Sequence, residues 1–378
     1  MNTEEPLQLL GGLSPQTFMR RHWQKKPLLI RQAIPGFKPL LDRTALLDLA
    51  AQEEVHSRLV VQPIEGGAKK WRFAHGPFAR KALPAFKQPG WTLLVQGVDL
   101  LSDPVHALMN RFRFVPDARL DDLMISYATD SGGVGPHFDS YDVFLLQVHG
   151  QRRWRIGRQK DLSLQPNMPL KILAHFEPEM EFVLEPGDML YLPPRYAHDG
   201  VAVGECMTYS IGFRAPSRGE LAGELLQRLA DDAMDTVGTA LYGDAKQPAS
   251  AHSGEIPDAL VDFASAAVAE ALHDPLAVRR VLGEYLTEPK GHVHFDAESA
   301  QVGALALTLD RRTRMMYDTQ HVFINGDSFL ASGRDADLMR MLADHKTLGA
   351  ADVKRLSKPA RALLQEWCDA GWVCSEQR

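Results

Sequence analysis

The sequence is poor in cysteine: Cys206, Cys368 and Cys374 are the only three among 378 residues. Three thiols cannot build a disulfide framework, and without a CxxC pair none marks a zinc site. Reduced thiols in a cytoplasmic protein are the expectation. Long apolar runs are also missing. Nowhere do about 18 apolar residues follow one another, so no membrane span is expected. The opening MNTEEPLQLLGGL is acidic and lacks the basic stretch and apolar core of a secretory signal. Nor is there an excess of positive charge. The chain carries 42 Lys and Arg against 48 Asp and Glu, a net −6, which argues against a role in coating nucleic acid. No internal repeat recurs at the roughly 20–50-residue period of solenoids. What remains is an ordinary globular composition, 45% hydrophobic and 24% charged. At roughly 100–200 residues per domain, the length predicts two or three domains.

The texture changes along the chain. Ser14 as N-cap and Pro15 in the first helical position open a helix. A short strand at Leu28-Leu29-Ile30 follows, and a second helix is predicted around residues 42–54. From about 58 to 214, short β-like runs dominate: 59–61, 91–95, 123–128, 142–149, 152–156, 182–184, 189–192 and 207–213. Turn signals separate them at Gly132-Gly133, His149-Gly150, Pro186-Gly187-Asp188 and Pro193-Pro194. That spacing predicts an all-β barrel or double-sheet jelly roll. After Pro216, Leu221, Leu225 and Leu229 recur every fourth position, an amphipathic helix. Residues 243–254 read as a loop, and helices resume over 258–272 and 275–285. A strand pair around 313–324 and helices over 336–343 and 359–370 have the order of a small winged-helix-like α+β module.

The sharpest chemical signal is Gly135-Pro136-His137-Phe138-Asp139. In extended backbone, residues i and i+2 share a face, so the His137 imidazole and the Asp139 carboxylate can reach one ion. His198, behind the Pro186-Gly187-Asp188 turn and the Pro-Pro bend, is the candidate third ligand. Two histidines and one carboxylate leave three positions open, the facial triad of non-haem Fe(II) oxygenases. The alternative is a loop histidine beside a capping Asp, with His198 on the surface. His292 and His294 have the same spacing but no evident third ligand, and a structural or surface role is expected for them. In Gln151-Arg152-Arg153-Trp154-Arg155, alternation puts Arg152 and Trp154 on one face and Arg153 and Arg155 on the other. An inward Arg152 would need a carboxylate ligand as partner. Solvation of all three arginines at a sheet edge is the competing reading.

These residues resemble the JmjC-type Fe(II)/2-oxoglutarate oxygenases of the cupin superfamily, in particular the ribosomal oxygenases. The resemblance is carried by segments 133–144, 152–157 and 185–194, by Phe18 with Trp23-Gln24-Lys25-Lys26-Pro27-Leu28, and by Tyr209 through Pro216. It covers roughly residues 15–216. It implies an α+β chain with three parts. A double-stranded β-helix (cupin/JmjC jelly roll) catalytic domain with an N-terminal extension spans 1–216. A helical dimerisation domain over 217–288 and a winged-helix-like C-terminal domain over 289–378 follow. His137, Asp139 and His198 then become the Fe(II) ligands, with 2-oxoglutarate and O2 as co-substrates. Arg152 becomes the residue that binds the distal carboxylate of 2-oxoglutarate, and an arginine there resembles the bacterial branch. Ser126 matches a position lining that site. Thr208 stands where the resemblance leads one to expect asparagine, which puts its role in doubt.

The bacterial branch implies a cytoplasmic homodimer that hydroxylates C3 of an arginine in a large-subunit ribosomal protein, the sixteenth in the usual naming. Asp130 and Tyr141, flanking the H-x-D segment, are candidate guanidinium contacts, by carboxylate pairing and by stacking. Turn capping by Asp130 and packing by Tyr141 are the alternatives. The run Arg311-Arg312-Thr313-Arg314 is followed by a helix surrounded by Asp335, Asp337, Asp344 and Asp352, so direct nucleic-acid binding is not expected. Two other functions fit the pattern. One is a cupin metalloenzyme that does not use 2-oxoglutarate. The other is a ligand-sensing regulator with a DNA-binding winged helix, which would bind duplex DNA in a salt-dependent way.

Overall fold

The computed structural model describes residues 2–65, 68–168, 170–273, 275–296, 302 and 305–375. It divides into two units, Met1–Ala215 and Pro216–Arg378. No helix among the described residues is long and apolar enough to cross a membrane.

The first unit opens with α1 (Pro15–Arg21), whose N-terminus is capped as the sequence predicts: the Ser14 side chain accepts from the Thr17 N–H, with Pro15 at the first position. β1 (Leu28–Ile30) follows. α2 (Arg43–Ala50) is capped by Asp42 and ends four residues before the predicted boundary at 54. The remaining strands are β2 (Ser57–Val61), β3 (Arg72–His75), β4 (Trp91–Val95), then β5 (Leu120–Ala128) after α3 (Asp103–Asn110), and β6 (Val143–Gly157), β7 (Met180–Leu184), β8 (Met189–Leu192) and β9 (Ala197–Phe213). They form one antiparallel sheet in the order β1-β8-β6-β9-β5-β4-β2-β3, with β7 added on β6. The long strands β6 and β9 pair along most of their length. The first half of β6 also holds β8 and its second half holds β7. This is the jelly roll.

Both faces of the sheet are covered. On β6, Phe144, Leu146 and Val148 enter a core shared with Phe18, Trp23 and Leu46 from the N-terminal segment. Val143 and Leu145 point the other way, into the barrel, with Trp154, Ile156, Leu190 and Leu192. Each such side chain contributes about 1.5–3 kcal/mol by leaving water. Asp142, at the head of β6, is fully buried. It accepts from Tyr191 Oη at 2.6 Å and Gln24 Nε2 at 3.1 Å and pairs with Arg119 at 3.3 Å. The Trp23-Gln24-Lys25-Lys26-Pro27 segment is thereby tied to the strand that starts beside the H-x-D segment.

His149-Gly150 is not a turn between two strands; it is a bulge inside β6, where the register against β9 shifts between Gln147 and Gln151. The consequence is a change of parity. Before the bulge the odd positions 143 and 145 face the barrel interior; after it the even positions 154 and 156 do. A one-residue slip turns every later side chain to the other face. Arg152 is therefore inside because of the bulge. Gly150 is required there: its φ is +59°, and a Cβ would lie 2.0 Å from the Glu205 carbonyl oxygen.

The second unit begins with α4 (Arg218–Asp231), opened by a reciprocal capping box between Ser217 and Glu220. α5 (Ala233–Thr236), α6 (Asp258–Ala271) and α7 (Pro275–Thr287) follow. Leu225 and Leu229 of α4 pack on Ala277 and Val281 of α7. Residues 243–254 contain no helix or strand, as expected. β10 (Leu307–Leu309), β11 (Met315–Tyr317), β12 (His321–Ile324), β13 (Asp327–Leu330), α8 (Gly333–His345), β14 (Thr347–Leu348), α9 (Ala350–Val353), α10 (Lys358–Asp369) and β15 (Val373–Ser375) complete it. Two three-stranded sheets, β14-β10-β15 and β11-β12-β13, share a core with Leu338 and Leu342 of α8 and Leu364 and Trp367 of α10.

Candidate functional site

His137 and His198 form an antiparallel bridge. The His137 N–H donates to the His198 carbonyl at 3.0 Å, and the His198 N–H donates back at 2.8 Å. Asp139, two residues on, is fixed by the Arg195 N–H, which donates to its carbonyl at 2.7 Å. The three side chains converge: one ligand atom from each lies within 4.8 Å of the others, and His198 Nε2 is 3.7 Å from Asp139 Oδ2. The tautomers are set by backbone. His137 Nδ1 faces the Gly135 carbonyl at 2.9 Å and His198 Nδ1 faces the Tyr196 carbonyl at 3.0 Å. A carbonyl only accepts, so each Nδ1 carries the proton and each Nε2 keeps its lone pair for a metal. Burial, and then the neighbouring His137, lower the His198 pKa to about 4 against the pull of Asp139. The donor set, two neutral nitrogens and one carboxylate, suits Fe(II). Among the described residues His292 and His294 join no such cluster.

The wall beside the triad is built from the paired strands β6 and β9. Ile156 stands opposite His198, Trp154 opposite Gly200 and Arg152 opposite Ala202. Small residues at 200 and 202 leave room for the large ones. A Cβ on Gly200 would lie 2.5 Å from the Trp154 ring. Arg152 is 5% exposed. Its Nη1 donates to Ser126 Oγ at 3.2 Å, while its Nε and Nη2 are buried with no partner. A buried guanidinium with unpaired donors is costly unless an anion fills the space it faces. A dicarboxylate that also reaches the triad fits this requirement. Arg153 and Arg155 face outward, paired with Glu181 and Asp199.

Ser126 and Thr208 are buried and directly opposite on β5 and β9. Ser126 Oγ also donates to the Thr208 carbonyl at 3.3 Å, and the Thr208 hydroxyl donates to Gln147 Oε1 at 2.9 Å. Asp130 is exposed, and its carboxylate accepts from the Gly204 N–H at 2.8 Å and from Ser131 Oγ at 3.2 Å. Tyr141 is 39% exposed. Desolvation of its hydroxyl, followed by the carboxylates of Asp139 and Asp122, pushes its pKa up, with Arg58 opposing. The sequence reading missed Trp154 and Gly200 as parts of the pocket wall. Their only signal was the alternation around Arg152.

Comparison with known proteins agrees with this geometry. The JmjC domain family matches residues 107–221, and a ROXA-like winged helix matches residues 270–373. The chain is 37% identical over 275 residues to the ribosomal protein uL16 3-hydroxylase of Escherichia coli, covering 72% of this chain and 71% of that relative. It superposes with TM-score 0.79 and 31% identity on a ribosomal oxygenase from Escherichia coli solved in complex with cobalt and 2-oxoglutarate, over 96% of this chain and 98% of that one. The same oxygenase with cobalt and succinic acid gives TM-score 0.78 and 32% identity over the same shares, 96% and 98%. A jelly roll with a His-Asp-His cluster, a winged-helix match in the second unit and likeness along nearly the whole length place the chain among the JmjC-domain ribosomal oxygenases.

Proposed function

We propose that this chain is an Fe(II)- and 2-oxoglutarate-dependent hydroxylase acting at C3 of an arginine in the large-subunit ribosomal protein uL16, the protein in the name of its Escherichia coli relative. The observation that carries the reading is the pairing, on one barrel wall, of the His137–Asp139–His198 cluster with a buried Arg152 whose Nε and Nη2 have no partner. When bound, iron, 2-oxoglutarate and O2 supply oxidative decarboxylation to succinate and CO2, with the second oxygen atom inserted into a C–H bond. His137, Asp139 and His198 hold the metal. Arg152 holds the far carboxylate and so fixes the co-substrate's orientation before oxygen arrives. Ser126 braces the Arg152 guanidinium, and Thr208, through its carbonyl, braces Ser126.

The test is titration of the Fe(II) protein with 2-oxoglutarate under anaerobic conditions, following the visible charge-transfer absorption of the chelate. Wild type is expected to develop the band. Arg152→Ala should need at least about 30-fold more 2-oxoglutarate, because removing one partner of a buried charge pair costs about 2–5 kcal/mol. A wild-type protein with no band at saturating ligand would sink the oxygenase reading.

The arginine side chain enters, on this reading, between Tyr141 and Asp122. Stacking on the ring and pairing with a carboxylate are what a guanidinium needs. The carboxylates of Asp139 and Asp122 both act on the Tyr141 hydroxyl, and Asp122 Oδ2 also accepts from the Gly97 N–H at 3.1 Å. Asp130, engaged by Gly204 and Ser131, serves its turn. Asp122→Asn should raise KM for the protein substrate about tenfold or more, a charge-assisted hydrogen bond being worth roughly 1.5–3 kcal/mol, and leave the 2-oxoglutarate titration unchanged. An unaltered KM would remove Asp122 from the scheme.

We also propose a homodimer formed through the helical segment 217–288, in the cytoplasm where ribosomal substrates and an unbridged cysteine such as Cys206 belong. The support is α6, which has no buried residue although Leu260, Val261, Phe263 and Val268 are 38%, 48%, 40% and 62% exposed. An apolar helix face of this kind marks an interaction surface, and a symmetric pair is the commonest way to cover one. Sedimentation should give twice the chain mass for wild type and the single-chain mass for Val261→Glu/Phe263→Glu. A wild-type monomer at micromolar concentration would refute the dimer.

A further inference from the structure

Trp154 is 5% exposed and lies on the same inner face as Arg152, two residues further along β6. Its indole Nε1–H is buried and has no acceptor. A buried tryptophan N–H normally finds a partner, and one left without it is destabilising. The ring cannot easily turn to seek one, because its six-membered edge rests on the backbone at Gly200, where even a Cβ would come within 2.5–2.8 Å. Its surroundings define what the missing acceptor is. The Arg152 guanidinium carbon is 5.6 Å from the Trp154 ring, and the His198 ring is 5.8 Å away. Three buried donors without acceptors therefore share one stretch of wall: Arg152 Nε, Arg152 Nη2 and Trp154 Nε1. The neighbouring hydroxyls do not meet the need. Ser126 Oγ receives Arg152 Nη1, and the Thr208 hydroxyl is engaged with Gln147. Donors of this number and sign call for an anionic oxygen pair, and a carboxylate offers about four lone-pair sites.

We propose that the Trp154 Nε1–H is a further binding donor for the co-substrate, giving its hydrogen bond to the same distal carboxylate of 2-oxoglutarate that Arg152 holds. The inference rests on the 2-oxoglutarate reading above. It adds a second fixed direction to that carboxylate, so that the ligand is located by a charged fork and a neutral N–H held rigid by packing over Gly200.

The experiment uses the full-length protein with Co(II) in place of iron and calorimetric titration with two ligands. One is 2-oxoglutarate; the other is oxalate, which chelates a metal and has no distal carboxylate. Trp154→Phe keeps a ring over Gly200 and deletes the N–H. It should bind 2-oxoglutarate about tenfold or more weakly, in line with a hydrogen bond to a charged group, and bind oxalate within about twofold of wild type. Parallel loss for both ligands would reduce Trp154 to packing, and unchanged 2-oxoglutarate binding would refute the hydrogen bond. Should the variant fold poorly, the indole N–H resonances of the ¹⁵N-labelled Zn(II) wild type decide. One of them should move downfield with 2-oxoglutarate and stay in place with oxalate; no such shift overturns the proposal. Wild type that binds oxalate but no 2-oxoglutarate would instead strike the co-substrate reading, and this inference with it.

Discussion

His198→Ala should lose metal binding and reduce turnover by at least about a thousandfold, since even outer partners of metal ligands are worth 10–100-fold. The residue is the most enclosed of the three candidates, 3% exposed at the start of β9. Its Nδ1 is committed to the Tyr196 carbonyl, and burial keeps the ring neutral, with a pKa lowered to about 4. No proton then competes for Nε2 at neutral pH. Without that nitrogen, His137 and Asp139 offer two ligands from the less buried side. The backbone bridge between positions 137 and 198 uses only N–H and C=O groups, so it survives the substitution and the fold should hold. Calorimetry with Co(II), together with succinate production, checks this. Metal affinity near that of wild type would move the centre elsewhere.

Gly150→Ala should destabilise the first unit by about 3 kcal/mol or more and abolish saturable 2-oxoglutarate binding. Two costs add. The residue has φ +59°, a region that costs a non-glycine residue of order 1 kcal/mol. Its new Cβ would also sit 2.0 Å from the Glu205 carbonyl oxygen, which is backbone and cannot swing away. Relief requires β6 and β9 to part or the bulge to be lost. Losing the bulge reverses the parity of the strand beyond it, sending Arg152 and Trp154 outward and Arg153 and Arg155 inward. Gly204→Ala is the matched control. It also has positive φ, +72°, but nothing lies within 4 Å of a Cβ there, so about 1 kcal/mol is expected. Urea midpoints of the two variants decide between them; equal small losses would contradict the role assigned to the bulge.

How far the sequence alone reached depended on the range of each interaction. His137 and Asp139 were legible because i and i+2 share a face wherever the backbone is extended, and a single bridge to His198 suffices for that. The helix cap at Ser14 acts within three residues, and it formed as read. The bulge was not legible. A glycine between two β-like runs looks the same whether the chain reverses or the strand continues, and only pairing with β9, more than forty residues later, makes it a bulge. The alternation of Arg152 with Arg153 was visible locally, while the choice of which one faces inward was made by that distant pairing. The apolar side of α6 reads in sequence as an ordinary amphipathic face, and nothing in its spacing tells a core contact from a partner contact.

The most direct measurement is mass analysis of intact uL16 after incubation with the purified chain, Fe(II), 2-oxoglutarate and O2. The reading offered here requires one arginine heavier by one oxygen atom, with fragment ions placing the oxygen at C3. It also requires one succinate formed per modified chain, and no change when the enzyme is Asp139→Ala. Full consumption of 2-oxoglutarate with every arginine of uL16 unmodified would contradict it.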